Sequence, residues 1–201
     1  MFAIVQAAGW PIWPLLLASI ISVALIIERL VALRRTKIVP PGLLQRAVGE
    51  FRRGANNDKL LDELDRHSPL GRVLSAGLRN VNNSREVMKE SIEESGSAVA
   101  HDLSRYLTTL GTIASISPLM GLFGTVVGMI EIFGSQAPGT GNPQQLAHGI
   151  SIALYNTGFG IFIAIPSVIF WRHFRALVDG FVVEMEQQAV RLVEYMHGDR
   201  T

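Results

Sequence analysis

Apolar positions along this chain gather into three long blocks, separated by stretches in which charged and apolar residues alternate. The first block runs from about Ile12 to Leu33, with Glu28 and Arg29 near its end, the second from about Leu107 to Phe133, and the third from about Leu146 to Trp171. No charged side chain stands between Met1 and Ile27, and in the 66 residues from Tyr106 to Trp171 the sole charge is Glu131. A hydrocarbon core of about 30 Å takes about 20 apolar residues at 1.5 Å each. Each block therefore predicts a transmembrane helix. Buried helices of a soluble bundle would carry polar faces, and these blocks have none.

The mixed stretches predict helices of another kind. Pro40, Pro41 and Gly42 break the chain after the first block. Leu43–Phe51 and Asp58–Leu64 then read as short helices, with Asn56-Asn57 between them and Ser68-Pro69 closing the second. Asn83 followed by Glu86 resembles a capping box. With no proline from there to Pro118, a helix beginning near Ser84 is expected to run on into the second apolar block. After the third block, Phe174, Leu177, Val178, Phe181, Met185, Leu192 and Met196 recur mostly at steps of three and four, a helical stripe. The expected order is a tail and first span over 1–33, a helical region over 34–105, a second span over 106–134, a loop over 135–145, a third span over 146–171 and a helix over 172–201. The fold class is an all-α integral membrane protein with long helical extensions.

Charge position orients this arrangement. All 18 Lys and Arg residues lie in 29–105 or 172–201. Basic residues near span ends stay in the cytoplasm. The N-terminus and 135–145 are thus expected outside, with 34–105 and the C-terminus inside. Trp10 and Trp13 fall at the outer interface and Trp171 at the inner one, as an aromatic belt requires. The N-terminus lacks the positive region and small-residue cleavage site of a signal peptide, so the first span is expected to be retained.

Composition narrows the function classes. The 201 residues are 48% hydrophobic and 17% charged, below the roughly 25% charge of soluble domains. The net charge is +1, without the basic excess of a nucleic-acid binder. Cysteine is absent, which excludes disulfides and thiolate metal sites, and five scattered histidines offer no metal cluster. No cofactor is expected. An enzyme is disfavoured too: the chain has no Walker loop, nucleophile elbow or His–Glu metal motif. Gly139-Thr140-Gly141-Asn142 is a turn signal without the basic residue of a phosphate cradle.

Inside the apolar blocks the informative residues are small or hydroxylated. Ala114, Ser117, Gly121, Thr125 and Gly128 fall at steps of three or four, and Gly124 with Gly128 forms a GxxxG pair. Gly149, Ala153, Thr157, Gly160 and Ala164 make a similar stripe on the third block. Small residues let helix backbones approach closely in lipid. Spacing fits plain packing, with Thr hydroxyls bonded one turn back, and it fits a narrow, weakly polar channel equally.

Two motifs carry a resemblance. Pro118-Leu119-Met120-Gly121-Leu122-Phe123-Gly124-Thr125-Val126-Val127-Gly128-Met129-Ile130, preceded by Leu110-Gly111, resembles the second-span signature of the MotA/TolQ/ExbB proton-channel family. Gly149-Ile150-Ser151-Ile152-Ala153-Leu154-Tyr155-Asn156-Thr157-Gly158-Phe159-Gly160, followed by Ala164-Ile165-Pro166, resembles its third-span signature. Three spans and a large first cytoplasmic loop are similar to the ExbB and TolQ branch. The resemblance implies a homo-oligomeric ring, pentameric in the best-understood members, in a bacterial inner membrane. It also implies an ExbD-like or TolR-like single-span partner whose membrane aspartate carries protons. A TonB-like or TolA-like protein would carry the resulting motion to the outer membrane.

Carried over by position, Thr125 and Thr157 match pore-facing threonines. Asn156 beside Thr157 is a pore neighbour or an interhelical hydrogen-bonding group. Glu131 is expected at the outer mouth, where His148 also stands. Gly121, Gly124, Gly128, Gly149, Ala153, Gly160, Pro118 and Pro166 are expected at helix contacts. One position departs from the pattern: well-known ExbB members have a glutamate five residues before the third-span threonine, and this chain has Ile152. A membrane scaffold that does not conduct is the competing class.

Overall fold

A computed structural model describes residues 9–54, 57–134 and 143–198, with the backbone alone for Gln145, His148 and Ile152. The tail over 1–8, Asn56, the connection over 135–142 with its Gly139-Thr140-Gly141-Asn142 turn signal, and Thr201 lie outside the described residues. Among the described residues regular structure is helical throughout. The elements are α1 (Ile12–Ala32), α2 (Arg35–Ile38), α3 (Leu43–Arg52), α4 (Asn57–His67), α5 (Pro69–Arg79), α6 (Arg85–Ser104), α7 (Leu107–Gly134) and α8 (Pro143–His197). Three stretches are long and apolar enough to cross a membrane: α1, the α7 end of Arg85–Gly134, and the first part of Gly149–His197. The chain divides into two compact units, one from Met1–Glu28 with Tyr106–His173 and one from Arg29–Arg105 with Phe174–Thr201.

The first unit turns large apolar side chains outward. Ile20 is 68% exposed and Phe162 73% exposed, an arrangement that is costly in water and natural against lipid tails. Its interior is built from small and polar residues. Ser22 Oγ of α1 and Ser167 Oγ of α8 lie 2.6 Å apart and are both buried. Pro118 and Pro166 sit inside α7 and α8, each removing one backbone donor. A buried serine adjoins each proline. Ser117 donates to the Ile113 carbonyl at 2.7 Å, and Ser167 to the Ile163 carbonyl at 2.8 Å. The Trp171 indole covers Gly111 so closely that a Cβ there would stand 2.9 Å from its Nε1.

The second unit has the amphipathic helices of a water-exposed bundle. Leu44, Leu70, Leu74, Leu78, Met88 and Val99 fill its core together with Phe174, Val178, Phe181, Met185 and Leu192 from α8. The latter five belong to the predicted stripe, which faces inward, while Leu177 and Met196 are half-buried. Arg35 Nη2 of α2 donates to Glu184 Oε1 at 2.6 Å, which raises the Arg35 pKa, and Arg52 Nη2 donates to the Tyr195 carbonyl at 2.7 Å. Arg72 Nη1 donates to Asp102 Oδ2 at 2.8 Å, and that hydrogen bond holds the Asp102 carboxyl below its usual range.

Three expectations about this region change. Ser68-Pro69 opens a helix that the sequence reading had not placed. Ser68 is the N-cap of α5, its Oγ accepting from Gly71 N at 3.1 Å, and Pro69 sits in the first turn, where its missing N–H costs nothing. The cap of α6 is Ser84, whose Oγ accepts from Val87 N at 3.3 Å, while Asn83 Nδ2 donates to Asn80 Oδ1 instead. Glu86 in that first turn has a lowered pKa, first from a backbone N–H and then from Ser84. The helix expected to run unbroken from near Ser84 into the second span is two helices, interrupted at Arg105-Tyr106, where Tyr106 has φ +66°.

Candidate functional site

The two small-residue faces of α7 and α8 meet inside the first unit, and glycine makes the approach possible. A Cβ on Gly121 would stand 2.7 Å from the Asn156 carbonyl oxygen and 2.9 Å from Thr157 Cα. On Gly160 it would fall on the Ser117 carbonyl oxygen. One turn further along α7, Gly124 lies under the Asn156 side chain, whose Cβ a methyl would meet at 2.8 Å. Gly128 faces Ala153 at 3.2 Å and Gly149 faces the Ile132 side chain. The helices thus pack backbone on backbone, where van der Waals contact takes the place of a hydrophobic drive.

Thr125 and Thr157 are brought together by this contact. Their hydroxyl oxygens are 2.5 Å apart, one on each helix, and both residues are half-buried. Thr125 Oγ1 also stands 3.2 Å from the Gly121 carbonyl, one turn back, and 3.2 Å from the Ala153 carbonyl across the interface. On its open side Thr125 borders a shallow hollow lined by Val126, Met129, Ile130, Phe133 and Gly134.

The pair has two proton arrangements. Each hydroxyl carries one donor and two acceptor lone pairs. When Thr125 donates to a carbonyl, Thr157 donates to Thr125 and presents only lone pairs. When Thr125 donates to Thr157, the Thr157 proton is released to a third group. The same two side chains therefore act as acceptor or as donor with no change of charge.

The other expected site residues lie apart from this pair. Asn156 is 2% exposed, enclosed between the helices against Gly124 rather than on the open side. Glu131 is exposed, six residues beyond Thr125 on α7. That separation is about 9 Å along the axis and about a third of a turn around it. For His148 and Ile152 only the backbone, within α8, is described. Pro118, one turn before Gly121 on α7, is half-buried, whereas Pro166 on α8 is exposed, and Ala153 is buried. Two buried groups escaped sequence reasoning, Ser22 and Ser167. Serine in a span is a signal only once the facing helix is known.

Residues 65–187 match the profile of the MotA/TolQ/ExbB proton channel family. The chain is 34% identical over 171 residues to the biopolymer transport protein exbB1 of Vibrio cholerae, covering 81% of this chain and 74% of that one. It is 30% identical over 190 residues to a putative biopolymer transport protein, ExbB-like 3, of Synechocystis, covering 86% and 83%. To the biopolymer transport protein ExbB of Pseudomonas putida it is 31% identical over 121 residues, covering 60% of this chain and 37% of the other. The matched profile takes in both spans that carry the hydroxyl pair and most of the helical region before them, and the chain is a membrane protein that belongs to the MotA/TolQ/ExbB proton channel family.

Proposed function

We propose that this protein is the ring-forming, ExbB-like subunit of a TonB-type energy-transducing complex in a bacterial inner membrane, with its N-terminus periplasmic and its C-terminus cytoplasmic. It would couple the proton motive force to uptake of substrates such as iron–siderophores across the outer membrane. The observation that carries the reading is the Thr125–Thr157 hydroxyl pair at the join of α7 and α8.

A carboxyl group moving protons through a membrane must be matched in both charge states. Lone pairs on Thr157 accept from a protonated carboxyl, and the released proton donates to a carboxylate. A fixed charge near the bilayer centre costs at least about 2.5 kcal/mol, so neutral hydroxyls serve better than a second ionised group. The titrating aspartate belongs to an ExbD-like or TolR-like single-span partner, and a ring of this chain, expected to be a pentamer, surrounds it. Glu131 supplies a carboxylate toward the outer end of the pathway, and Asn156 stiffens the wall behind the threonines.

The test is recovery of the complex from its own membrane after gentle crosslinking. A single-span protein with an aspartate in its span should co-purify with several copies of this chain. Recovery of the chain as a homo-oligomer free of any such protein would refute the reading and favour the scaffold class. Within the family, co-purification of a TolA-like protein in place of a TonB-like one would assign the TolQ role.

A further inference from the structure

Three contacts inside the first unit fix the relative heights of α1, α7 and α8. The Trp10 ring, just ahead of α1, meets Phe123 of α7 edge-on, with centroids 5.9 Å apart. The next residue on α7, Gly124, lies under the Asn156 side chain, so Phe123 stands level with Tyr155 and Asn156 of α8. The bond between Ser22 Oγ and Ser167 Oγ, 2.6 Å, is an independent check. Ser22 follows Trp10 by 12 residues and Ser167 follows Tyr155 by 12, about 18 Å of helix in each case. Trp10, Phe123 and Tyr155 therefore share one level, and Thr125 and Thr157 lie within two residues of it.

That level has the chemistry of a bilayer surface. The backbone turns at Gly9, with φ +74°, and α1 begins at Ile12. Beside this start Trp10 and Trp13 are both well exposed. An indole, apolar in body with a polar N–H, settles at headgroup depth. On α8 one outward face runs through Ser151, Tyr155, Phe162, Ile165 and Ile169, all exposed and three, four or seven residues apart. It bears hydroxyls as far as Tyr155 and is wholly apolar from Phe162 inward. Thickness agrees. Tyr155 to Arg172 is 17 residues and Trp10 to Glu28 is 18, about 26 and 27 Å of helix against a hydrocarbon core of about 30 Å. Counting from Leu146, where the third apolar block begins, gives about 39 Å.

We propose that the outer surface of the bilayer crosses the helix pair at Thr125 and Thr157, so that the hydroxyl pair opens directly to water on that side. Protons then reach the pair with no entry channel through lipid, and the whole insulating layer lies inward of it. A carboxyl at the pair takes its proton at the water boundary, before the hydrocarbon where charge is costly. The outer ends of α7 and α8, Gly134 and Pro143, lie about 17 and 18 Å beyond Phe123 and Tyr155 and stand clear of the lipid, Glu131 with them. The lipid-covered parts of both spans thus end inward of the Phe133 and Leu146 that hydropathy alone suggests. The proton role of the pair, and the periplasmic identity of that side, rest on the proposed function, whereas the depth does not.

The chain has no cysteine, so single cysteines in it report position cleanly. Ser151→Cys, Tyr155→Cys, Phe162→Cys and Ile169→Cys each carry a nitroxide spin label, in the full complex in phosphatidylethanolamine–phosphatidylglycerol vesicles. Power saturation reads collisions with a water-soluble nickel chelate and with oxygen, which concentrates in lipid. Nickel should exceed oxygen at 151 and 155, and oxygen should exceed nickel at 162 and 169. Oxygen in excess at 151 and 155 would place the surface further out and overturn the proposal. Labels at 151 and 155 shielded from both reagents would mean that protein covers this face, and Trp10 then decides. The fluorescence that Trp10→Phe removes should be quenched most by lipids brominated near the headgroup. Strongest quenching by bromine near the acyl-chain ends would overturn the proposal. A complex that takes up no iron–siderophore would fail the functional reading alone and leave these depths as they are.

Discussion

At the scale of single residues, what distinguishes the α7–α8 contact is which atom each glycine meets. Gly121 and Gly160 face backbone, which cannot move aside, and Gly128 faces the Ala153 methyl at 3.2 Å. Gly158 faces nothing within 4 Å. Gly121→Ala and Gly160→Ala should each cost about 1–3 kcal/mol, the range for overpacking a close contact. Gly128→Ala should cost less, and Gly158→Ala should leave stability unchanged. Thermal unfolding in detergent checks the order, and equal losses at all four positions would contradict the contact as described. The sequence made the small-residue faces legible because steps of three and four can be counted on one helix. It left open which residue sits opposite which, since register between helices some 30 residues apart is not a local property. Asn156 illustrates this. Spacing allowed a pore neighbour or a contact residue, and only the approach of Gly124 places its side chain between the helices.

At the scale of elements, the short helices of the second unit are fixed by their ends. Ser68-Pro69 reads from the sequence as the close of α4, yet proline starts a helix as readily as it ends one. The hydrogen bond from Gly71 N to Ser68 Oγ decides for a start. Ser68→Ala should therefore destabilise the protein by about 1 kcal/mol, the usual value of an N-cap, read as a lower midpoint in urea or on heating. Asn83 and Ser84 are both good caps by residue type, and backbone geometry selects the second. The break at Arg105-Tyr106 was not legible, because neither residue is a helix breaker by type. The Arg72–Asp102 pair adds a pH dependence of definite sign. Arg72 lowers the folded pKa of Asp102, so its contribution is complete above the usual carboxylate value. It is lost as pH falls through the lowered one. Both side chains are well exposed and the effect is small. Asp102→Asn should flatten the acid limb of the stability profile, whereas an unchanged limb would show that the pair contributes nothing.

At the scale of the whole molecule, the three apolar blocks were the most legible feature. They follow from the thickness of a bilayer and the cost of burying charge, not from any particular contact. The proposed orientation predicts that a reporter fused after Ser135 reads as periplasmic and that fusions at Asn82 and Thr201 read as cytoplasmic. A cytoplasmic signal at Ser135 would contradict a three-span topology. The proposed proton pathway turns on the paired hydroxyls. The double replacement Thr125→Val with Thr157→Val keeps side-chain shape and removes both hydroxyl groups, so it separates packing from proton handling. The measurement is growth on an iron–siderophore as sole iron source, scored beside recovery of the complex from the membrane. A proton pathway through the hydroxyl pair predicts full recovery of the complex with loss of growth, and full growth of the double variant would contradict it.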